Sequence, residues 1–276
     1  MKRVEVVLLN WNGWRDTLAC VASLRSLEYP AVGIIVVDNG STDGSEAQLR
    51  SHLPDVTVLQ TGANLGFGGG CNYGIQVALQ RGADYVWLVN SDATVAPSAL
   101  SAAVKTAECD LCIGAVGSVI FEAVQRDQVQ VWGGGRVNLW LGRSQHQRSA
   151  PNRVDFLSGA ALLLRRDALQ QTGGFDDKTF FMYWEDTDLG FRLRQAGWQL
   201  AVAAESRVWH KQSASLGRGS ALLDRYFVCS GARFMRRHAP MPWLAIGLMG
   251  GAMLAKRLLS VQFTRAGAVL RGLADA

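Results

Sequence analysis

The sequence predicts an α/β protein with a mostly parallel sheet flanked by helices, followed by a helical C-terminal tail. Short apolar, β-rich runs alternate with helically spaced stretches through the first two hundred residues, and polar residues follow directly where those runs end. The remaining segment is apolar and basic. With 276 residues, 49% hydrophobic and 18% charged, the chain can bury a sizeable core, which excludes a disordered or collagen-like protein.

The predicted elements follow one another in regular order. Each strand is a short run rich in Val, Ile and Leu, and each helix carries apolar residues at helical spacing. Strands are predicted at residues 4–9, 34–37, 56–59, 85–89, 113–116, 129–132, 154–164 and 198–203. Helices are predicted at residues 16–27, 45–53, 72–81 and 185–196, with glycine-rich loops at residues 64–72 and 132–136. Strands joined through helices in this way predict parallel pairing.

Polar side chains follow the first two strands. Asn10 and Asn12 come after the first strand, and Asp38 ends the second. Because the carboxyl ends of parallel strands meet at one edge of a sheet, we expect Asn10 and Asp38 to line the same cleft. A carboxylate there can accept a hydrogen bond from a pyrimidine N–H or a ribose hydroxyl. An aspartate before Gly40 also suits a turn or a helix cap, and the residues alone leave both roles open.

A glycine-rich stretch precedes the third predicted helix. It contains Asn64, Gly66, Gly68 and Asn72, and it matches neither a P-loop nor a dinucleotide-binding fingerprint. Backbone amides without side chains can approach a diphosphate at a helix N-terminus. The stretch is therefore a candidate nucleotide-binding loop.

The fourth strand ends in Asn90, Ser91 and Asp92. A carboxylate at this position can bind a divalent cation that also grips the phosphates of a nucleotide-sugar. A helix N-cap is the alternative structural role for such an aspartate. His210, which follows the last predicted strand of the body, is a candidate metal or phosphate ligand, or a polar residue on the rim.

Three carboxylates fall within four residues at the start of the helix predicted at 185–196. Glu185, Asp186 and Asp188 follow an aromatic run, and like charges so close should push their proton affinities apart. A general base needs such tuning, and transfer to a hydroxyl needs a general base. Carboxylates at a helix start also stabilise its dipole, so a structural role is the alternative.

The C-terminal tail differs from the body in charge. Residues 1–206 hold 17 basic and 21 acidic residues, a net −4, whereas residues 207–276 hold 11 and 2, a net +9. Residues 239–255 carry no charge and are bounded by basic residues, but the two prolines at its start make the helix too short to span a bilayer. We expect a helix lying in the membrane interface, with packing on the body or in a dimer as the alternative.

Seven segments in this order resemble the family 2 inverting glycosyltransferases of the GT-A fold, particularly bacterial rhamnosyltransferase-like members. They are VVLLNWNG, IIVVDNGSTDGS, NLGFGGGCNYGI, YVWLVNSDATV, DFLSGAALLLRR, GGFDDKTFFMYWEDTDLGFRLRQAGW and VWHKQSAS. The resemblance implies a glycosyltransferase domain at residues 1–215 and a basic, apolar helical tail at residues 216–276. It also implies a nucleotide-sugar donor, with L-rhamnose from dTDP-L-rhamnose as the first expectation and a UDP-sugar as the second.

The resemblance also implies roles for individual residues. Asp38 would read the nucleotide base, and the glycine stretch would lie beside the donor. Residues 90–92 would be a variant of the D-x-D metal motif in which Asp92, with His210 near the diphosphate, binds Mg²⁺ or Mn²⁺. Asp186 would be the base. Residues expected on the acceptor side are Ser158, Gly159 and Trp184.

The implied reaction is a single displacement on a glycan or lipid-linked acceptor in cell-surface polysaccharide synthesis. The short apolar N-terminal run does not match a signal peptide, so we expect a cytoplasmic protein held peripherally at the inner face of the membrane by its tail. Nucleic acid is not an expected partner, because the positive charge accompanies an apolar tail rather than aromatic stacking positions. The sequence leaves the oligomeric state open.

Other reaction classes fit less well. A sugar nucleotidyltransferase would carry a basic, glycine-rich loop after its first strand, where this chain has Asn-Trp-Asn-Gly. A hydride-transfer enzyme would need the dinucleotide fingerprint that is missing here. An inactive transferase-like binding subunit is a third alternative, motivated by Asn90 in place of the usual Asp.

Overall fold

A computed structural model describes residues 1–211 and 220–276. The strands are β1 (Val4–Asn10), β2 (Val32–Asp38), β3 (Thr57–Gln60), β4 (Tyr85–Asn90), β5 (Ala93–Val95), β6 (Ile113–Glu122), β7 (Val129–Trp132), β8 (Gly134–Asn138), β9 (Arg143–His146), β10 (Phe156–Leu157), β11 (Ala161–Arg165) and β12 (Gln199–His210). The helices are α1 (Trp14–Leu24), α2 (Ser45–His52), α3 (Gly66–Gln80), α4 (Ala99–Glu108), α5 (Arg166–Thr172), α6 (Glu185–Gln195), α7 (Ala221–His238), α8 (Pro242–Leu259) and α9 (Phe263–Ala274).

One large mixed sheet organises the body. Its strands run in the order β3-β2-β1-β4-β11-β6-β12-β5, with β7 paired to β6. The pairs β3–β2, β2–β1, β1–β4 and β6–β12 are parallel, whereas β5, β7 and β11 pair antiparallel with their neighbours. The predicted α/β, mostly parallel sheet is confirmed, and the edge at which β1, β2 and β4 end carries the predicted polar residues.

The sheet is buried on both faces, because its apolar side chains alternate between two helical layers. One apolar cluster packs beneath α1, α2 and α4 and contains Trp87 and Leu100. The other packs beneath α3, α5 and α6 and contains Ile75 and Leu189. This two-sided burial explains why the strands read as continuous apolar runs.

Two predicted elements in the second half differ from the structure. The predicted loop at 132–136 contains the start of β8, which pairs with β9 and β10 in a small three-stranded sheet. The strand predicted at 154–164 is broken into β10 and β11. The break begins at Ser158, whose N–H donates to Gly133 O at 2.9 Å and not to a strand of the main sheet.

The last three helices pack together and onto the body. α7, α8 and α9 share an apolar cluster with Phe180 and Trp184, which lie just before α6. The proposed boundary between residues 215 and 216 lies outside the described residues. In the part of the chain that the structure describes, no helix combines the length and apolarity needed to cross a bilayer.

Candidate active site

Asn10 and Asp38 end neighbouring strands and lie side by side. The Asp38 carboxylate accepts a hydrogen bond from Asn10 Nδ2 at 2.7 Å, another from Gln60 Nε2 at 2.7 Å, and a third from Ser41 Oγ. Asp38 is 0% exposed. Its carboxylate therefore ties the strand ends together here and does not project into an open cleft, which is the turn role that the sequence left open. Recognition of a base by Asp38 stays a prediction.

Asn12 joins the loops that follow β1 and β2. Its Oδ1 accepts the Thr42 N–H at 2.8 Å, and its own N–H donates to Ser41 Oγ at 2.9 Å. Asn12 adopts a left-handed backbone conformation with φ 52°, which asparagine tolerates better than most residues. The residue is exposed at the sheet edge expected to hold the donor, and a donor contact stays a prediction.

The glycine-rich stretch is not a loop, because Gly66 already begins α3. Gly66 has φ 75°, and a Cβ at this position would overlap Phe181 O. A Cβ on Gly68 would lie 2.9 Å from Phe175 Cβ. Asn64 Oδ1 accepts the Gly66 N–H at 2.9 Å at the helix start. The missing side chains let α3 pack tightly on residues 175–181, so the loop prediction is wrong. Diphosphate binding by its first amides stays a prediction.

Asn72 is a structural clamp in the second turn of α3. Its Nδ2 donates to Phe175 O at 2.8 Å, and its Oδ1 accepts the Phe175 N–H at 2.9 Å. Because both ends of the amide are used inside the protein, the predicted contact between Asn72 and the donor is not what this structure shows.

Asn90, Asp92 and His210 meet where β4 ends and β5 pairs with β12. His210 Nε2 lies 3.1 Å from Asp92 Oδ1 and 3.2 Å from Asn90 Nδ2. Burial raises the pKa of Asp92, but the hydrogen bond and charge of His210 outweigh burial and hold that pKa below its ordinary value. Ser91 lies between these residues and is partly exposed.

The donor set at this point fits a divalent cation. Gln130 Oε1 accepts a hydrogen bond from His210 Nδ1 at 2.9 Å, which orients the ring so that Nε2 faces Asp92. Two ligands at right angles around Mg²⁺, with bonds of about 2.1 Å, lie about 3 Å apart, close to the observed 3.1 Å. In residues 1–211 and 220–276, no cluster of three or more His, Cys, Asp or Glu could hold a metal. The other ligands would come from water and phosphate oxygens.

A cleft of about 650 Å³ opens beside His210. Its wall combines strands β7 and β9 with the break between β10 and β11. The residues that line it are Gln130, Val131, Gln145, His146, Gln147, Arg148, Ser158, Ala160 and His210. The cleft therefore joins the predicted acceptor-side Ser158 to the predicted metal ligand His210.

Asp186 lies next to the wall of this cleft but is not among the residues that line it. It lies in the first turn of α6, and its Oδ2 accepts the Gly159 N–H at 3.1 Å, next to Ser158. Its Oδ1 accepts the Thr187 N–H at 2.6 Å. These bonds orient a partly exposed carboxylate. The structure thus places Asp186 next to the part of the cleft wall formed by Ser158, and Asp92 next to the part formed by His210.

Glu185 has a very different environment from Asp186. It is 7% exposed, and its Oε2 has no hydrogen-bond partner in the described residues. Burial, reinforced by the negative charge of Asp186, raises the pKa of Glu185 to about 8. Near neutral pH the side chain is therefore mainly a neutral acid, which is unsuited to act as the base.

Asp188 is the centre of a buried ion-pair network. Its carboxylate lies 2.6 Å from Arg192 Nε, 2.9 Å from Arg237 Nη1 and 2.9 Å from His238 Nε2. Burial raises the pKa of Asp188, but the hydrogen bonds from His238 and Arg192 outweigh burial and lower it. Asp188 joins α6 to α7, so its predicted catalytic role is replaced by a structural one.

Trp184 does not face the acceptor. Its φ of 68° is left-handed, and its ring packs on Phe227 and Phe234 of α7, with centroids 5.7 and 4.9 Å away. Only 4% of the residue is exposed. The expectation that Trp184 stacks on a sugar is wrong, because the backbone turn directs its ring beneath the C-terminal helices.

Sequence reasoning missed most of the residues that line the cleft, among them Gln130, His146 and Arg148. Gln130 interrupts the apolar run of β7, and a polar residue inside such a run is a signal that could have been used. His146 is one of only four histidines in the chain. Arg148 follows a strand that was not predicted, and no sequence signal marks it.

Comparisons with known proteins agree with this geometry. Residues 2–225 match the family described as "Glycosyltransferase like family 2". The chain is 33% identical over 226 residues to an N-acetylglucosaminyl-diphospho-decaprenol L-rhamnosyltransferase of Mycobacterium tuberculosis, covering 73% of each chain. It is 29% identical over 265 residues to a pre-mycofactocin glycosyltransferase of the same organism, covering 94% of this chain and 53% of that one.

Solved structures agree on the fold. A mannosyltransferase from Pyrobaculum calidifontis, in complex with GDP-Man and Mn²⁺, aligns with a TM-score of 0.63 at 19% identity and covers 100% of this chain and 76% of its own. GalNAc-T7, with UDP, GalNAc and Mn²⁺, aligns with a TM-score of 0.68 at 16% identity, and the alignment covers 80% of this chain and 45% of the GalNAc-T7 chain. The fold is therefore GT-A-like, and the chain belongs to glycosyltransferase family 2, whose members transfer a sugar from a nucleotide-sugar donor.

Proposed function

We propose that this glycosyltransferase moves L-rhamnose from dTDP-L-rhamnose, with inversion, to a hydroxyl of a lipid-linked saccharide in cell-surface polysaccharide synthesis. The observation that carries the proposal is that one cleft is lined both by Ser158, whose neighbour Gly159 binds Asp186, and by His210, which lies 3.1 Å from Asp92. The choice of sugar and acceptor is supported by the 33% identity to a rhamnosyltransferase whose name specifies a diphospho-decaprenol acceptor. A UDP-sugar donor is the alternative. Because the chain belongs to glycosyltransferase family 2, we no longer consider the alternative that it is a sugar nucleotidyltransferase.

Asp186 is the proposed base. Of the three neighbouring acidic residues, Glu185 holds its proton and Asp188 is neutralised by cations, which leaves the Asp186 carboxylate available. In the proposed step Asp186 takes the proton of the acceptor hydroxyl, whose oxygen forms a bond to the anomeric carbon as the bond to the nucleoside diphosphate breaks. Attack opposite the leaving group inverts that carbon.

Asp92 and His210 are the proposed ligands of Mg²⁺ or Mn²⁺. A bound divalent cation neutralises the charge that develops on a departing diphosphate. Asn90 stands where a second carboxylate would be expected, and its amide can donate to His210 or to a phosphate oxygen. Ser158 and Gly159 would orient the acceptor, because they lie between Asp186 and the open cleft.

We further propose that the protein works in the cytoplasm, peripherally at the inner face of the membrane, with residues 1–215 as its catalytic domain and residues 216–276 as its membrane-associating tail. The net charge of +9 in residues 207–276 supports this location, because the headgroups of anionic lipids attract basic residues.

A donor screen combined with a transfer assay tests the proposal. We expect dTDP-L-rhamnose with Mn²⁺ to raise the melting temperature of the protein more than UDP- or GDP-sugars do, because a ligand that binds only the folded state stabilises it. The Asp186→Asn variant should keep this stabilisation but transfer no sugar to a lipid-linked acceptor, a loss of kcat alone. A variant that still turns over would remove Asp186 from the mechanism, and stabilisation by UDP-sugars alone would favour the alternative donor.

A further inference from the structure

We infer that the turn between β8 and β9 and the outer surface of α8 form a single docking face for an anionic lipid bilayer, which holds the cleft close to the membrane. The docking face consists of Trp140, Leu141, Trp243, Leu244 and Leu248. This inference extends the proposed function, because it adds a segment of the body to the membrane-associating tail. Its consequence for the acceptor rests on the proposed function.

The outer surface of α8 carries exposed apolar side chains. Leu244 and Leu248, one helical turn apart, are 45% and 43% exposed, and Trp243 beside them is 73% exposed. On the inner side, Ala245 and Met249 are buried against the rest of the protein. Because no charged residue occurs in α8 before Lys256, the helix is apolar all round for most of its length. Such a helix normally has an apolar partner on each side.

The β8–β9 turn extends this surface from a different part of the chain. Trp140 and Leu141, at its tip, are 54% and 51% exposed. Gly142, with φ 61°, lets the turn approach α8 so closely that a Cβ would overlap Ala245 O and lie 2.9 Å from Met249 Cβ. The turn therefore contacts α8 at Ala245 and Met249, the residues that directly follow the exposed Leu244 and Leu248.

The surrounding charge favours an anionic bilayer over a second copy of the chain. The Arg236 guanidinium lies 5.2 Å from the centre of the Trp243 ring, and the exposed Arg143 begins β9 next to the turn. Aromatic rings beside basic residues are typical of helices at the bilayer interface, where the guanidinium reaches the phosphates. Two copies meeting through this face would bring two basic tails together, and their like charges would repel.

Strand β9 connects the docking face to the cleft. It begins at Arg143 beside the turn and ends at His146, which lines the cleft together with Gln145 and Arg148. The five steps along the chain from Leu141 to His146 span at most about 17 Å at 3.4 Å per residue, so docking through the turn would hold the cleft within that distance of the bilayer. This is within reach of a sugar attached to a membrane lipid through a diphosphate.

Vesicle flotation with the full chain tests the inference. We expect the wild-type protein to float with vesicles containing phosphatidylglycerol and to bind phosphatidylcholine vesicles weakly. Replacing Trp140 and Leu141 together by Ser should weaken binding about tenfold or more, because two half-exposed apolar side chains no longer enter the bilayer. The single variants Leu141→Ser and Leu111→Ser form a matched pair. Leu111, 74% exposed outside the docking face, should be neutral when changed.

Three results would overturn the inference. Equal vesicle binding by the wild type and the Trp140→Ser/Leu141→Ser variant would remove the turn from the surface. If the wild-type protein does not bind vesicles, a bilayer does not occupy the docking face. Dimers that the same variant dissociates would show that a second copy covers this face. Transfer to a water-soluble, short-chain acceptor is measured in parallel and should be unchanged in the variant. If the wild type transfers no sugar to this acceptor, the proposed function is contradicted, whereas the vesicle-binding result can still be interpreted.

Discussion

Three acidic side chains within four positions reach three different environments. Successive helical residues point about 100° apart, so Glu185 enters the apolar interior, Asp186 adjoins the cleft and Asp188 meets the cations of α6 and α7. The expected spread in proton affinity is present, since the pKa of Glu185 is raised and that of Asp188 is lowered. Burial and partners, rather than repulsion alone, produce it.

The raised pKa of Glu185 predicts a specific pH dependence of stability. The folded state keeps the proton up to about pH 8, whereas the ordinary carboxyl pKa is 4.5. Between these values the unfolded chain has lost a proton that the folded one retains, so this group makes the free energy of unfolding fall as pH rises, by at most about 1.4 kcal/mol per pH unit. Glu185→Gln should remove that slope, as urea denaturation between pH 5 and 8 would show.

The difference between the wild type and the variant isolates Glu185, because every other titrating group is common to both. The variant should be more stable than the wild type above pH 8, where the wild type must bury a charge. Parallel curves at all pH values would mean that Glu185 is ionised in the folded protein.

The hydrogen bond between Gln130 and His210 predicts that Gln130 influences metal affinity without contacting the metal. Its Oε1 accepts a hydrogen bond from His210 Nδ1 and so keeps Nε2 of that ring facing Asp92. Gln130→Leu should weaken Mn²⁺ binding about 10- to 100-fold, the range typical of lost outer hydrogen bonds at metal sites. Calorimetric titration with Mn²⁺ and a nucleoside diphosphate measures this without turnover.

Gln145→Leu is the matched control for Gln130→Leu, because Gln145 lines the same cleft without a hydrogen bond to His210. It should leave Mn²⁺ affinity nearly unchanged. Equal losses in both variants would indicate that the polarity of the cleft, and not the His210 contact, sets the affinity.

At the level of single elements, α3 depends on glycine for its contact with the sheet. A Cβ on Gly70 would overlap Leu9 Cδ1 and lie 3.1 Å from Asn39 Cγ. Gly70→Ala should therefore lower the free energy of unfolding by about 1–3 kcal/mol, the usual cost of overpacking a core. Gly247→Ala in α8, where a Cβ meets nothing within 4 Å, should instead stabilise the protein by up to about 1 kcal/mol. Urea denaturation of both variants measures the contrast, and equal effects would contradict it.

The same helix shows how far a sequence can predict this fold. Strands β1, β2 and β4 were predictable because burial on both sheet faces leaves continuous apolar runs that end in polar residues. The start of α3 was not, because glycines favour loops locally and only the tertiary contact with residues 175–181 makes them helical. The candidate site followed the same rule. The site residues at strand ends could be predicted from the sequence. The position of Trp184 depends on a backbone turn and that of Gln130 on the pairing of β7, and neither can be predicted from local sequence.

At the scale of the whole molecule, the C-terminal helices are part of the folded body. Trp184 and Phe180 lie beneath α7 and α8, and Ser230 Oγ donates to Met182 O at 2.8 Å. α7 also supplies Arg237 and His238 to the buried Asp188. Both expected roles of the tail, packing on the body and facing a membrane, are thus compatible, because one side of α8 is buried on the body and the other is exposed.

This arrangement predicts that Asp188→Asn loosens the tail from the body. The lost charge leaves the Arg192 and Arg237 guanidinium groups without their buried partner, so the free energy of unfolding should fall by about 3 kcal/mol or more. Because the folded pKa of Asp188 is lowered, its stabilisation is present above the ordinary carboxyl pKa and is lost as pH falls through the folded value. The gap between the wild type and the variant should therefore narrow in acid, as urea denaturation at pH 7 and at about pH 3 would show.

Asp176→Asn is the control that separates burial from charge pairing. Asp176 also pairs with Arg237, at 2.7 Å, but its side chain is 24% exposed where that of Asp188 is 0% exposed. Water compensates an exposed ion pair, so this variant should lose no more than about 1 kcal/mol. If both variants cost the same, Arg237 alone would account for the link between α6 and α7. If neither costs stability, the tail would be held by its apolar cluster, and the ion pairs would only set its orientation.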